Sequence, residues 1–273
     1  MLKDMTLGQF FPGKSVLHRL DPRLKLALTV LYVAALFIAK GVYAYAVMLA
    51  FLIVTVVLSG IHFKIILRGI RPLAFIIIFT GILNIFYTPG ETLAINGVAM
   101  RWWIFNVTKE GLITAGFTSL RILMLVTGTF VFLTYTTSPI ALTDALECVM
   151  RPLRLIRVPV HELSMMMTIA LRFIPTLIEE TDKIMSAQKA RGADFESGNI
   201  FRRAKALIPL LIPLFVGAIR RAEELAVAME CRCYHGGDGR TRMKVLKMAG
   251  LDFAMLSVCL LVFASASALG FIF

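Results

Sequence analysis

Several groups of residues have the types and spacing to do chemistry, and each can be set against what that chemistry requires. Gly8-Gln9-Phe10-Phe11-Pro12-Gly13-Lys14-Ser15 matches the phosphate-binding loop pattern letter for letter. Such a loop works because backbone N–H groups between a buried strand and a helix converge on phosphate. Only seven residues precede Gly8, Pro12 has no N–H to donate, and no parallel-sheet pattern follows. If ATP drives this system, another chain must hydrolyse it. Cys231-x-Cys233-x-His235 holds soft ligands, but zinc spacing puts at least two residues between cysteines and needs a fourth ligand. His161-Glu162 lacks the second histidine of a zinc-protease helix, since position 165 is Met165. No metal or cofactor site is expected. Asn106-Val107-Thr108 fits a glycosylation acceptor, a tripeptide too common to decide anything.

Two arginines carry a more specific signal. Ala190-Arg191-Gly192 closes one helical pattern and Cys231-Arg232-Cys233 closes another. Ile184, Gln188 and Arg191, like Leu225, Met229 and Arg232, are spaced i, i+4, i+7, so each arginine extends a stripe to its helix tip. A planar guanidinium at a tip suits bidentate pairing with a carboxylate in an acidic groove. The competing reading is local: a cation near a helix C-terminus compensates the dipole for roughly 0.3–1 kcal/mol, with Gly192 as the residue after the cap. Spacing alone leaves both readings open.

The elements that must position these tips follow from composition. The 273 residues are 58% hydrophobic, beyond the roughly half that soluble domains carry. Apolar runs at about 24–39, 42–59, 73–87, 112–135 and 249–273 predict five membrane spans, the first and third short against the roughly 20 residues a span needs. Met1–Arg23 is mixed and polar, so no cleavable signal peptide is expected. Four cysteines without a framework of spacings suggest no disulfides. The net charge of +12 is segregated rather than spread. Lys3, Lys14, Arg19, Arg23 and Lys25 precede or open the first span, and Lys64, Arg68 and Arg71 fall in the second connection. The first connection has only Lys40 and the third only Arg101 and Lys109, whereas residues 136–247 carry 17 Lys or Arg against 12 Asp or Glu. Positive-inside bias then predicts a cell-membrane protein with the N-terminus and this long segment in the cytoplasm and the C-terminus outside. The basic charge is thereby assigned to topology, and no nucleic-acid partner is expected.

Residues 136–247 read as three helices rather than a linker. The first opens at Ser138-Pro139, suited to N-cap and first helical position. The second runs from about His161 to Arg191 around Pro175, and the third from about Ile200 to Arg232 around Pro209 and Pro213. In the second, Ile174, Leu177, Ile178, Thr181, Ile184 and Met185 make an amphipathic stripe. The third contains an apolar stretch, 206–219, too short to span, which is expected to lie under the membrane or on neighbouring helices. Arg121 inside the fourth apolar run either snorkels outward or pairs within the bundle. Asp252 is the other ionisable residue near a span, and the two form no constellation. Met165, Met166 and Met167 are read as adaptable packing. The chain is thus predicted to be an all-α membrane protein with about five transmembrane helices and a cytoplasmic domain of about three helices, organised as 1–135, 136–247 and 248–273.

The stretch Leu171–Phe195 (LRFIPTLIEETDKIMSAQKARGADF), together with Ile208–Met243 containing IPLLIPLF, RRAEELAVAMECRCY and GGDGRTRM, resembles the transmembrane T component of energy-coupling factor transporters. His18-Arg19-Leu20-Asp21-Pro22-Arg23 fits the same family, and the resemblance covers nearly the whole chain. It implies a non-enzymatic scaffold for vitamin or metal-ion uptake, partnered by two ATP-binding-cassette ATPases and a small substrate-binding membrane subunit. It further implies that Ala190, Arg191 and Gly192, and Cys231, Arg232 and Cys233, dock into the ATPases; the second motif departs from Ala-Arg-Gly on both sides of its arginine. The alternative, a self-sufficient secondary transporter, would show inverted repeats and broken mid-membrane helices, and no such repeat is visible.

Overall fold

The computed structural model describes residues 13, 15–88, the short strands between 94 and 106, 108–193, 195, 199–236, 246 and 248–272. Most of Gly8–Ser15 lies outside the described residues, as do the Asn106 and Val107 side chains of the glycosylation-type tripeptide and the Gly236–Met243 run beyond Gly236. The chain divides into two compact units, Gln9–Ser138 with Leu246–Phe273, and Met1–Gly8 with Pro139–Val245.

The first unit is a helical bundle: α1 (Val16–Arg19), α2 (Pro22–Ile38), α3 (Gly41–Ser59), α4 (Phe63–Ile70), α5 (Ala74–Tyr87), α6 (Lys109–Thr129) and α10 (Gly250–Ile272). A 3-10 turn, Arg71–Leu73, joins α4 to α5, and a π-helical segment, Phe130–Tyr135, extends α6. Among the described residues, four stretches are long and apolar enough to cross a membrane: Gly41–Ser59, Phe63–Tyr87, Lys109–Tyr135 and Gly250–Gly270. Helix α2, over the first of the five apolar runs, is not among these four: its 17 residues reach about 25 Å against a hydrocarbon core of about 30 Å. Two linked expectations change: the third span, expected to be short, runs for 25 residues as Phe63–Tyr87, and the second connection loses its charges. Lys64, Arg68 and Arg71 do not sit in a connection, because Phe63, Ile65, Ile66, Leu67 and Ile70 make the stretch before Leu73 an amphipathic helix that runs into α5. The connection shrinks to Gly60, in the left-handed region at φ +68° as a helix-ending glycine, and the two residues after it.

Helix α2 lies at the centre. Asp21 and Pro22 start it, the carboxylate accepting the Arg23 N–H at 2.9 Å and the proline occupying the first helical turn. Leu24, Leu28, Tyr32 and Leu36 are buried in one stripe against Tyr45, Met48 and Leu52 of α3, Met124 of α6, the π segment's Val131, Phe132 and Tyr135, and Cys259, Phe263 and Ala266 of α10. Tyr32, Phe51, Phe132 and Phe263 form an aromatic cluster with ring centroids 5.2–6.3 Å apart. The Tyr32 hydroxyl donates to the Met124 carbonyl at 3.0 Å, and Gly128 faces that ring so closely that any Cβ would strike it. The outward faces are apolar too: Val57, Phe75, Ile78 and Leu261 are each more than 60% exposed, as lipid-facing residues are. Between α5 and α6, two short antiparallel strand pairs, β1 (Ala94–Ile95) with β2 (Val98–Ala99) and β3 (Arg101–Trp102) with β4 (Phe105–Asn106), occupy the loop. Its ends are tied by Thr108, whose hydroxyl donates to the Thr88 carbonyl at 2.9 Å and caps α6 by accepting the Gly111 N–H.

The second unit holds α7 (Pro139–Val149), a 3-10 turn (Arg151–Ile156), α8 (Val160–Ala190) and α9 (Ile200–Cys231). Helices α7 and α8 are tied by the Thr143 and Thr168 hydroxyls, 3.4 Å apart, and by His161 Nδ1 with the Glu147 carboxylate at 3.2 Å.

Candidate functional site

Helices α8 and α9 cross where α9 presents small residues. A Cβ on Gly217 would lie 3.0 Å from Glu180 Oε1, so the glycine lets the α8 carboxylate seat against α9. Arg221, one turn on, pairs with Glu180 at 2.5 Å. Beyond the pair, Ile169, Phe173 and Leu177 of α8 face Ala222, Leu225 and Met229 of α9 across an apolar groove of about 260 Å³. The half-buried ion pair is thus held at the crossing between apolar walls, which fixes the register of the two helices.

From this crossing each helix runs on to its arginine, and the two ends close in the same way. In α8, Arg191 is the cap residue, the Gly192 N–H donates to the Lys189 carbonyl at 3.0 Å, and the Ala193 N–H reaches back to the Gln188 carbonyl at 3.0 Å. In α9, the Cys233 N–H donates to the Glu230 carbonyl at 2.8 Å, and the Tyr234 N–H to the Met229 carbonyl at 3.1 Å. Both are Schellman closures with an arginine at the cap. The residue after the cap is left-handed in each, Gly192 at φ +85° and Cys233 at φ +53°. Glycine adopts that conformation freely, whereas a β-carbon costs roughly 1–2 kcal/mol there. The departure from Ala-Arg-Gly in the second motif therefore changes the residues and keeps the backbone. Arg191, Gly192, Cys231, Arg232 and Cys233 are exposed, as is Ala190. Among the described residues neither guanidinium has an ion pair.

The tips are not brought together. Arg191 lies eleven residues past Glu180, about 16 Å of helix, and Arg232 about 20 Å past the Gly217–Arg221 segment. The connection between α8 and α9 spans at most about 35 Å, which forces the start of α9 back toward the end of α8. The Arg232 end of α9 therefore points away, leaving the arginines about 20 Å or more apart. This arrangement offers two equivalent cationic points on one crossed-helix frame.

In the bundle, Arg121 resolves as an internal partner: its Nε donates to the Tyr45 hydroxyl at 2.6 Å, and the guanidinium lies 5.6 Å from that ring's centroid. A second polar cluster escaped the sequence reading. Asp21, Lys25 and Asp252 are all buried, and Lys25 Nζ donates to the Thr136 carbonyl at 2.9 Å. Asp252 accepts the Asp21 N–H at 2.9 Å and the Ala249 N–H at 2.7 Å. The cluster ties the start of α2, the start of α10 and the end of the π segment, where the wider turn leaves carbonyls to be satisfied from outside the helix. The available signal was Asp21 and Lys25 at the start of the first apolar run and Asp252 at the start of the last, which only the fold brings together.

The sequence profile of the CbiQ family, described as "Cobalt transport protein", matches residues 13–244. An "Energy-coupling factor transporter transmembrane protein EcfT" from Clostridium kluyveri is 50% identical over 269 residues, 98% of this chain and 97% of the relative. Proteins of the same name from Thermosediminibacter oceani and Bacillus subtilis are 52% identical over 253 residues (93% of each chain) and 46% over 265 residues (97% of each chain). The self-sufficient transporter gives way to these similarities. Likeness over nearly the full length, in a chain whose helices are long and apolar enough to cross a membrane, leads to one conclusion: the chain belongs to the CbiQ/EcfT family of energy-coupling factor transporter transmembrane proteins.

Proposed function

We propose that this chain is the coupling subunit of an ATP-driven importer, in which two ATP-binding-cassette ATPases engage Arg191 and Arg232 while a small membrane subunit carries the substrate, a vitamin or metal ion. The observation that carries this reading is the matched closure of α8 and α9. Two exposed arginines stand at equivalent caps on separate ends of one frame, as a partner with two similar acidic grooves requires. The flanking residues Ala190, Gly192, Cys231 and Cys233 shape the tips. ATP hydrolysis resides in the ATPases, and their closure on nucleotide moves α8 and α9 as a pair because the Glu180–Arg221 contact holds the crossing. The exposed apolar face of α9, including Ile208, Leu211, Ile212, Phe215 and Ile219, suits the hydrophobic substrate subunit.

The same reading places residues 1–135 and 248–273 as the membrane part and 136–247 in the cytoplasm, with the N-terminus inside and the C-terminus outside, because basic residues concentrate before α2, in α4 and through 136–247. A reporter active only in the cytoplasm is expected to work when inserted between 136 and 247 and to fail at Phe273. A cysteine introduced at Asn96 is expected to label from outside. Affinity purification of the full chain from membranes, followed by mass spectrometry, is expected to recover two ATPases and a small hydrophobic subunit. A lone chain that transports substrate would overturn the proposal.

A further inference from the structure

The basic residues of α4 have no role in the coupling frame, yet they are grouped. Lys64, Arg68 and Arg71 follow i, i+4, i+7 along α4 and its 3-10 extension, so they share one face. All three are exposed, and among the described residues none has an ion pair. The sequence offers them no local counter-charge, since it holds no acidic residue between Asp21 and Glu91. They rim a concavity of about 470 Å³ whose other walls are Leu67, Ile70 and Ala74.

The opposite face of α4 is fixed in place. Ile66 is 2% exposed, and Gly69 packs against the Tyr135 hydroxyl, where a Cβ would come within 2.6 Å. The charged face is therefore held outward by packing. At its two ends stand Phe63 and Phe75, 71% and 75% exposed, and beyond them the lipid-facing α5. Counting about 20 residues back from Tyr87 puts the hydrocarbon boundary near Arg68 and Arg71. Three cations at that depth, beside apolar walls and exposed aromatic rings, match an amphiphile carrying a phosphate and acyl chains. Arginine's fork pairs with phosphate oxygens in bidentate fashion, and lysine adds a point charge.

We propose that Lys64, Arg68 and Arg71 form a binding site for the phosphate headgroup of an anionic phospholipid of the cytoplasmic leaflet. The phosphate sits in the concavity while the acyl chains lie along Leu67, Ile70, Ala74 and the outer face of α5. The leaflet, but not the site, rests on the topology proposed above. Basic pockets at the cytoplasmic ends of spans are suited to this, each Lys or Arg near the surface contributing about fivefold in affinity.

The test is native mass spectrometry of the full-length chain in neutral detergent, titrated separately with phosphatidylglycerol, phosphatidylcholine and inorganic phosphate. The parent is expected to bind phosphatidylglycerol in preference to phosphatidylcholine. Lys64→Gln/Arg68→Gln/Arg71→Gln is expected to lose on the order of 100-fold in that affinity, with its helical content unchanged by circular dichroism. A control of equal charge loss, Lys40→Gln/Lys183→Gln/Lys205→Gln, is expected to bind like the parent. Equal affinity for both lipids in the parent, or undiminished phosphatidylglycerol binding in the α4 variant, overturns the site. Displacement of the lipid by millimolar inorganic phosphate alone makes it a free-anion site, and loss of a co-purified protein with lipid binding intact makes it a protein dock; either result overturns the lipid assignment. Labelling of His62→Cys from each side of the membrane checks the leaflet independently, so an outward-facing His62 refutes the topology without touching the binding result.

Discussion

Replacing Lys25 with methionine keeps an unbranched apolar stem of similar volume and removes the terminal ammonium with its charge and hydrogen bonds. Lys25 is 1% exposed, donates to the Thr136 carbonyl at 2.9 Å, and is acted on by the charges of Asp252 and Asp21, themselves 4% and 6% exposed. If the side chain merely filled space, a swap of similar volume would cost less than about 1.5 kcal/mol. If it neutralises buried carboxylates, removal leaves them without a counter-charge and leaves the Thr136 carbonyl unmatched, a loss of about 3–5 kcal/mol for a buried pair. Asp252 keeps the Asp21 and Ala249 N–H groups, and Asp21 keeps the Arg23 N–H. These bonds continue to stabilise the ionised form, so about 2–4 kcal/mol is expected. The assay is guanidinium unfolding of the full chain in detergent micelles, followed by circular dichroism. Asp252→Asn serves as the second arm, and Lys25→Met/Asp252→Asn is expected to be less destabilised than the sum of the single variants by about 1–3 kcal/mol. A loss below about 1 kcal/mol for Lys25→Met, with additive arms, refutes the counter-charge argument.

Two further outcomes follow from the coupling helices. Cys233→Gly, which relieves a β-carbon at φ +53°, is expected to stabilise the last turn of α9 by about 1 kcal/mol, read as roughly fivefold slower exchange of the Tyr234 amide that closes on the Met229 carbonyl; exchange that does not slow contradicts the shared closure. Gly217→Val, which places methyl groups where Cβ already lies 3.0 Å from Glu180 Oε1, is expected to separate α8 from α9 and cost about 1–3 kcal/mol, while Gly116→Val, whose Cβ meets nothing within 4 Å, leaves the crossing untouched.

The parts of this fold that follow from local pattern are legible in the sequence. Apolar run length marks the spans, and Pro139 at the first position of α7 and Gly192 after the cap of α8 mark helix ends within about a residue of where they fall. The continuity of α4 with α5 was hidden because Lys64, Arg68 and Arg71 look like loop charge, when on an amphipathic helix they can all lie on one outer face. The second arginine tip was visible as a stripe, but its identity with the first depends on a backbone conformation that Cys233 does not advertise. The Asp21–Lys25–Asp252 cluster joins positions more than two hundred residues apart. The π segment that supplies its carbonyl partner has no helical period to reveal it.

The central claim is that Arg191 and Arg232 are anchors for the ATPases rather than helix-end charges. It is tested most directly by purifying the complex through this chain and comparing parent, Arg191→Ala, Arg232→Ala and the double variant for bound ATPase and for transport-coupled hydrolysis in proteoliposomes. Removing one member of a desolvated, hydrogen-bonded charge pair costs about 2–5 kcal/mol, against about 1 or less for an exposed helix-end cation. The account predicts that each single variant weakens association at least about 30-fold, that the double variant loses the ATPases while still inserting in the membrane, and that lysine rescues only in part for want of the bidentate fork. A double variant that binds ATPases and couples hydrolysis to transport like the parent would contradict it.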